Sequence, residues 1–229
     1  MPGYVMHLLC AKKMIDTLGI EDADWKQKFY LGNILPDVCT EKKHTHFWDD
    51  ETYPLFARKP NLLIFEQQYA KRMEQPLVLG YYAHLLLDCR FIEQYWQKHF
   101  RFYNREGQEE VRFDKVAKIW VTEQNRMYDR DAFLSKRYYY GDYDRLNSYI
   151  IHAYHLRDIH LEGNMHDVSM IREIKREDVD VKLPQMIAIF ESSKEKMDNE
   201  LPKLSIFDYQ DLELLIENVK KEMVERLKT

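Results

Sequence analysis

Apolar residues recur at helical spacing along almost the whole chain, and this periodicity constrains the fold more than any other feature. One helical face of the first segment carries Tyr4, His7, Ala11, Met14 and Leu18. With only seven Gly and seven Pro among 229 residues, a loop-rich β-sandwich is disfavoured, and 45% apolar residues suffice for a substantial core. We therefore predict an all-α fold, a single domain of about eight helices that covers residues 1–229.

Turn and capping residues divide the chain into predicted helices. Gly19 ends the first helix, Asp22 or Asp24 begins a second that Pro36 ends, and Asn61 caps a third. The predicted ranges are 4–18, 24–36, 61–74, 76–103, 114–139, 143–162, 184–199 and 208–227. Residues 37–60 are predicted to form a long connecting loop, and the alternation in residues 179–183 favours an extended segment.

Charge and cysteine content exclude several classes of protein. Lys plus Arg is 34 and Asp plus Glu is 39, a net charge of −5 that disfavours general nucleic-acid binding. The three Cys residues form no CxxC spacing, which argues against a disulfide framework and against a cysteine zinc cluster. We find no apolar run of about 20 residues that could span a membrane and no N-terminal signal pattern, so we expect a cytoplasmic protein.

The helix that begins at Pro76 carries the first candidate site. His84 and Asp88 stand at i and i+4, so their side chains project from the same side of a helix. That side also carries aromatic residues, and a carboxylate directed into a core must be paired, protonated or bound to a metal. A buried His–Asp hydrogen bond without further function is the alternative interpretation.

Two further segments supply residues of the same chemistry. His7 lies on the apolar face of the first helix, where a core histidine is the alternative. Asp37 follows Pro36 at the predicted end of the second helix, and His46 belongs to the pair His44-Thr45-His46 in the next loop. Imidazole and carboxylate groups without thiolates suit zinc, or another hydrolytic divalent metal, with positions left open for water. We therefore predict a metal site between helices.

The order of these motifs resembles the zinc-dependent phospholipase C family, which is related in fold to the P1-type zinc nucleases. The resemblance rests on four elements over roughly the first 100 residues: His7, Gly-Asn-x-x-Pro-Asp37, His46-Phe47, and Gly80-Tyr81-x-x-His84-x-x-x-Asp88. Members of that family are all-α proteins that hold a metal cluster between helices and hydrolyse phosphate esters. The resemblance therefore implies one or two zinc ions per chain.

The resemblance also implies a role for each matching residue. The implied metal ligands are His7, Asp37, His46, His84 and Asp88. Asp88 corresponds to a carboxylate shared by two metals, and Asp37 to a ligand that also serves as the catalytic general base. The later histidines His152 and His155 form no HxxxE or HxxxD pair. We expect them to pack or cap, although lining the cleft, binding phosphate or holding a further metal are the alternatives.

Two functions follow as expectations. The first is a cytoplasmic, zinc-dependent hydrolase of phosphoric esters, similar to phospholipase C, in which water activated by the metal is the nucleophile. The alternative is a non-catalytic helical protein of the same fold that binds a metal and a ligand or partner. The expected partner is a small phosphate-ester substrate, without nucleic acid. The amphipathic C-terminal helix leaves the oligomeric state open between core packing and a dimer interface.

Overall fold

The computed structural model describes residues 2–161, 168–195 and 200–227, and helices dominate them. The helices are, in chain order, α1 (Tyr4–Leu18), α2 (Ala23–Val38), α3 (Lys42–Thr45), α4 (Leu62–Tyr69), α5 (Pro76–Arg90), α6 (Gln97–His99), α7 (Arg130–Phe133), α8 (Tyr139–Ala153), α9 (Arg176–Lys194) and α10 (Tyr209–Arg226). A π-helical segment, Phe91–Trp96, joins α5 to α6, and 3₁₀ turns cover Ala70–Arg72 and Leu156–Asp158. The predicted fold class is confirmed.

Local capping explains where several helices begin and end. Gly19 ends α1 with a φ of 64°, the left-handed conformation that glycine adopts at least cost. The Asp22 carboxylate accepts a hydrogen bond from the Trp25 amide at 2.9 Å, and Asn61 accepts one from the Ile64 amide at 3.3 Å. These contacts confirm the predicted starts of α2 and α4.

A small antiparallel sheet is the main departure from the predicted helices. Its strands, in the order β1-β2-β3, are β1 (Phe100–Tyr103), β2 (Lys118–Val121) and β3 (Arg126–Asp129). In the register, Val121 lies opposite Phe100 on one side and opposite Arg126 on the other. The prediction of one helix over residues 114–139 was therefore wrong, and the helix predicted for residues 76–103 ends at His99.

The burial pattern of β2 gives the physical reason. Ile119 and Val121 are buried, whereas Lys118 and Trp120 are only partly buried, which is the period of two of a strand. Asn125 adopts a positive φ of 49° in the turn that reverses the chain into β3. This short alternation between two polar segments was mistaken for helical spacing.

Two other boundaries differ from the prediction. Residues 179–183 are helical rather than extended, because Val179 and Leu183 are both buried at i and i+4 on one face of α9. Helix α2 continues past Pro36 to Val38, so Asp37 lies in the last helical turn instead of after the helix. Beyond Val38, the segment to residue 60 contains α3 and an isolated bridge at Leu55 but is otherwise turns and irregular backbone, as predicted for a connecting loop.

Helices α2 and α5 approach each other backbone to backbone. A Cβ atom on Gly32 would lie 1.9 Å from the Leu77 carbonyl oxygen, and one on Gly80 would lie 2.1 Å from the Phe29 carbonyl oxygen. The Asn33 side-chain amide also donates a hydrogen bond to the Gly80 carbonyl at 3.2 Å. This close approach brings the C-terminal half of α2 next to the middle of α5.

The last helix completes the core. Its apolar face is buried, and its members are Leu212, Leu215, Ile216, Val219 and Met223. These residues belong to the same apolar cluster as the buried residues of α1, so this face serves core packing. None of the described helices combines the length and the apolar character needed to cross a bilayer.

Candidate metal centre

Four elements deliver the five predicted site residues to one place. His7 comes from α1, Asp37 from the end of α2, His84 and Asp88 from α5, and His46 from the residue after α3. The three histidines and Asp88 are at most 1% exposed, whereas the Asp37 side chain is 14% exposed. The structure therefore brings all five residues together, in two overlapping groups of potential metal ligands that share His84.

The two carboxylates lie among the ring nitrogens at nearly equal distances. The Asp88 oxygens are 3.4 Å from Nε2 of His7, from Nε2 of His84 and from Nε2 of His46. Asp37 Oδ1 is 3.6 Å from His46 Nε2. Two ligands that each lie 2.0–2.1 Å from a tetrahedral zinc ion are roughly 3.4 Å apart, so these separations fit the ion.

The backbone of α2 fixes the orientation of His84. Its Nδ1 donates a hydrogen bond to the Asn33 carbonyl at 2.7 Å, because a carbonyl oxygen can only accept. In the neutral imidazole, Nε2 then carries the lone pair and faces Asp88. A hydrogen bond from the far nitrogen to a carbonyl is the usual arrangement behind a histidine that ligates a metal.

Thr45 orients His46 in the same way. The Thr45 hydroxyl donates to the Pro36 carbonyl at 3.0 Å, so its oxygen accepts from His46 Nδ1, also at 3.0 Å. The lone pair of His46 therefore resides on Nε2, which lies 3.4 Å from Nε2 of His84. Two lone pairs that face each other at this distance repel, and either a metal cation or a proton on one of the nitrogens would relieve that repulsion.

Asp88 and His7 supply the remaining inward groups without protein hydrogen-bond partners. Both oxygens of Asp88 and both ring nitrogens of His7 are buried and make no hydrogen bond within the described residues. The His7 ring stacks on the His84 ring with centroids 3.7 Å apart. An ionised carboxylate without such partners is costly to bury, and a divalent cation would satisfy both groups.

The pKa values reflect the same crowding. Burial, and to a smaller extent the neighbouring His84, lowers the pKa of His7 to about 4. Burial alone would raise the pKa of Asp88, but His84 and His7 bring it below its ordinary value. For His84, burial lowers the pKa, yet Asp88 and Asp37 outweigh that effect and raise it. The centre thus favours ionised carboxylates, the form that binds metal.

Comparison with known proteins agrees with this geometry. The profile of the zinc-dependent phospholipase C family matches residues 6–202. The chain belongs to this family. Membership confirms the predicted resemblance, and the His and Asp groups of the described residues suit the zinc ions on which the family depends. No curated protein and no solved structure matches the chain.

The sequence motifs did not identify Lys42 as part of the site. Its ammonium group lies 2.5 Å from Asp37 Oδ1, the same oxygen that is 3.6 Å from His46 Nε2. Burial raises the pKa of Asp37, but Lys42 and the neighbouring histidines lower it well below its usual range. The pair Lys42-Lys43 is visible in the sequence, yet only the turn of α3 shows which of the two reaches the centre.

A cavity of about 550 Å³ opens at Asp37. Asp37 and Lys42 lie in its wall, together with Arg58 and several aromatic side chains. The aromatic members of the lining are Tyr4, Trp48, Phe56, Trp96, Phe113, Tyr140 and Tyr143. The cavity therefore offers a substrate one polar, charged end and largely apolar walls.

The other histidines take different positions. His44 is exposed on α3, and His152 and His155 join no group of potential metal ligands among the described residues. A third His–carboxylate group, which the sequence motifs did not indicate, consists of His99, Glu123 and Asp211. It joins α6, the β2–β3 turn and α10.

Proposed function

We propose that the protein is a zinc-dependent hydrolase of small phosphoric esters, with His7, Asp37, His46, His84 and Asp88 as the metal ligands. Family membership supports a phospholipase C-like activity in general. The observation that carries the more specific proposal is the buried Asp88, whose two oxygens lack hydrogen-bond partners while three histidine nitrogens lie 3.4 Å away. A shared carboxylate in this position suits a centre of one or two ions.

Asp37 and Lys42, which line the cavity at the centre, have separate roles in the proposed reaction. Zinc, when bound, supplies a Lewis acid and lowers the pKa of water. Asp37 lines the cavity and stays ionised beside Lys42, so its carboxylate can orient water or accept its proton. The Lys42 ammonium also faces the cavity, where it can neutralise negative charge on a phosphoryl group.

A non-catalytic metal-binding protein is the second candidate function. The ion pair of Lys42 with Asp37 favours it, because an ammonium group 2.5 Å from the carboxylate competes with a metal for the same oxygen. The two candidates differ in whether Asp37 takes part in turnover. Both keep the ligand set of His7, His84 and Asp88.

Replacement of Asp37 by Asn tests the proposal. Zinc-loaded protein should hydrolyse a chromogenic phosphomonoester or phosphodiester, and Asp37→Asn should lose roughly 10²–10⁴ of that rate, the usual contribution of a general base. The zinc content per chain, measured on the same samples, shows whether Asp37 acts as a base or as a metal ligand. Asp24→Asn is the matched control, because Asp24 also pairs with a lysine but is exposed far from the cavity.

Two outcomes would decide against turnover. Zinc-replete wild-type protein that cleaves no ester of a broad panel supports the second candidate. Full activity in Asp37→Asn would remove the role proposed for this carboxylate.

A further inference from the structure

Arg58 lies in the cavity wall as a guanidinium surrounded by aromatic rings. Its central carbon is 4.4 Å from the ring centroid of Phe113, 4.9 Å from that of Tyr53 and 5.3 Å from that of Trp48. Its Nε donates a hydrogen bond to the Leu55 carbonyl at 2.9 Å. These contacts hold the guanidinium in place by cation–π attraction and one backbone anchor.

The positive charge of the Arg58 guanidinium is available to bind an anionic ligand. Within the described residues no carboxylate lies within 4 Å of its guanidinium, and no hydrogen bond of its two terminal nitrogens is found there. Arginines held on aromatic rings without a carboxylate partner keep their planar pair of donors free for an anion. A purely structural arginine would need no such orientation toward a cavity.

Arg58 also shares its cavity with the metal centre. Asp37, Lys42 and Arg58 line the same space, and the Trp48 ring, 5.3 Å from Arg58, is likewise 5.3 Å from the His46 ring. The cavity thus combines two protein cations with the mouth of the proposed zinc centre. Its aromatic surface could have bound a quaternary ammonium group, but Arg58 already occupies part of that surface and would repel one.

We propose that Arg58 determines substrate specificity: it binds the phosphoryl group of dianionic phosphomonoesters and disfavours esters that carry a quaternary ammonium group. This inference rests on the proposed hydrolase function. The guanidinium of Arg58 accounts for the preference: the charges of Lys42 and Asp37 offset each other, which leaves Arg58 to attract a dianion and to oppose a ligand cation.

Binding of inorganic phosphate to zinc-loaded protein tests the anion site without turnover. Calorimetry should show phosphate binding to wild-type protein, and Arg58→Gln should weaken it about 10- to 100-fold, the usual effect of losing a hydrogen bond to a charged group. Arg58→Lys keeps the charge on the aromatic rings and should fall between the two. Arg112→Gln, which removes an exposed arginine outside the cavity, should bind phosphate like wild type.

Turnover of two esters tests the specificity. We expect wild type to prefer p-nitrophenyl phosphate over p-nitrophenylphosphorylcholine, and Arg58→Gln to shift the ratio of their kcat/KM values toward the choline ester by tenfold or more. Phosphate binding that is absent in wild type, or equal in wild type and Arg58→Gln with unchanged melting temperature, would overturn the proposal. Phosphate binding that depends on Arg58, in a protein that cleaves no ester of the broad panel, would instead refute the hydrolase function and leave the anion site standing.

Discussion

Two clusters of histidine and carboxylate lie in this molecule, and they differ in what completes them. In the metal centre, Nδ1 of His84 and of His46 is engaged by an oxygen of the protein, and Nε2 faces other acceptors. In the second cluster, His99 Nδ1 is 2.9 Å from Glu123 and His99 Nε2 is 3.0 Å from Asp211. Both nitrogens of His99 thus face carboxylates.

This difference favours the first cluster as the metal site that we propose. The carboxylates beside His99 are partly exposed, and one of them also pairs with Lys98. In the candidate metal centre, by contrast, three imidazole Nε2 atoms lie around the two oxygens of one buried carboxylate, Asp88. Ligand type and spacing alone do not distinguish the clusters, whereas the hydrogen bonds behind the rings do.

Among the variants that test the difference between the two clusters, Asp88→Ala should have the largest effect. Asp88→Ala takes away the carboxylate that lies next to three histidines, so zinc per chain should fall to background and activity should be lost. The melting temperature of wild type should drop on chelation, because metal binding and folding are coupled, whereas that of Asp88→Ala should not respond. Asp211→Ala in the second cluster is the control and should retain zinc; full zinc content in Asp88→Ala would contradict the ligand set.

The orientation of His46 offers a finer test. Thr45→Val removes the hydroxyl that accepts from His46 Nδ1 but leaves every proposed ligand in place. We expect zinc affinity, measured by competition with a chromogenic chelator, to fall about 10- to 100-fold. Thr17→Val, on the exposed side of α1, should bind zinc as wild type does; equal affinities for the two variants would show that Thr45 does not orient the ring.

The pH dependence of metal-free protein tests the burial of His7. Its pKa is about 4 in the folded chain and near 6.5 when unfolded, so the unfolded state binds more protons between these values. The stability that neutral His7 contributes is present above pH 6.5 and is lost as the pH falls toward 4, about 3 kcal/mol at most. Urea unfolding in the presence of a chelator should show that the free energy of unfolding falls more steeply with decreasing pH for wild type than for His7→Gln. Parallel pH curves for the two proteins would contradict this expectation.

The smallest effect is expected for His99. His99→Gln should leave zinc per chain unchanged and lower the free energy of unfolding by about 1 kcal/mol, as for partly exposed ion pairs. Elemental analysis and thermal melting check both statements. Loss of one zinc equivalent would mean that the second cluster, too, holds a metal.

Three of the five candidate ligands that the structure brings together were predictable because each one interrupts a helical pattern. His7 and His84 are polar residues on apolar helical faces, and Asp88 repeats the break one turn later. Asp37 and His46 needed the family resemblance, since a turn aspartate and a loop histidine are common. The predicted fold class followed from the same periodicity.

The residues that line the cavity could not be predicted in this way. Lys42 begins the short helix α3 and Arg58 lies in irregular backbone, and their partners Asp37 and Phe113 belong to other segments. Only the tertiary fold shows that one lysine meets a carboxylate and one arginine meets aromatic rings. The same holds for the sheet, whose short strands gain their stability from pairing across distant residues. The single-domain boundary and the expected cytoplasmic location stay predictions.

Because α2 and α5 lie in close contact, we expect two glycines, which carry no functional group, to be essential for activity. Side chains elsewhere can change rotamer to accept an extra methyl group, but Gly32 and Gly80 face carbonyl oxygens of the neighbouring backbone, which cannot turn aside. Either glycine replaced by alanine would force the helices apart and separate Asn33 from His84 and Asp37 from Asp88. A random search for inactive variants should therefore return these glycines as often as the ligands, although neither glycine touches metal or substrate.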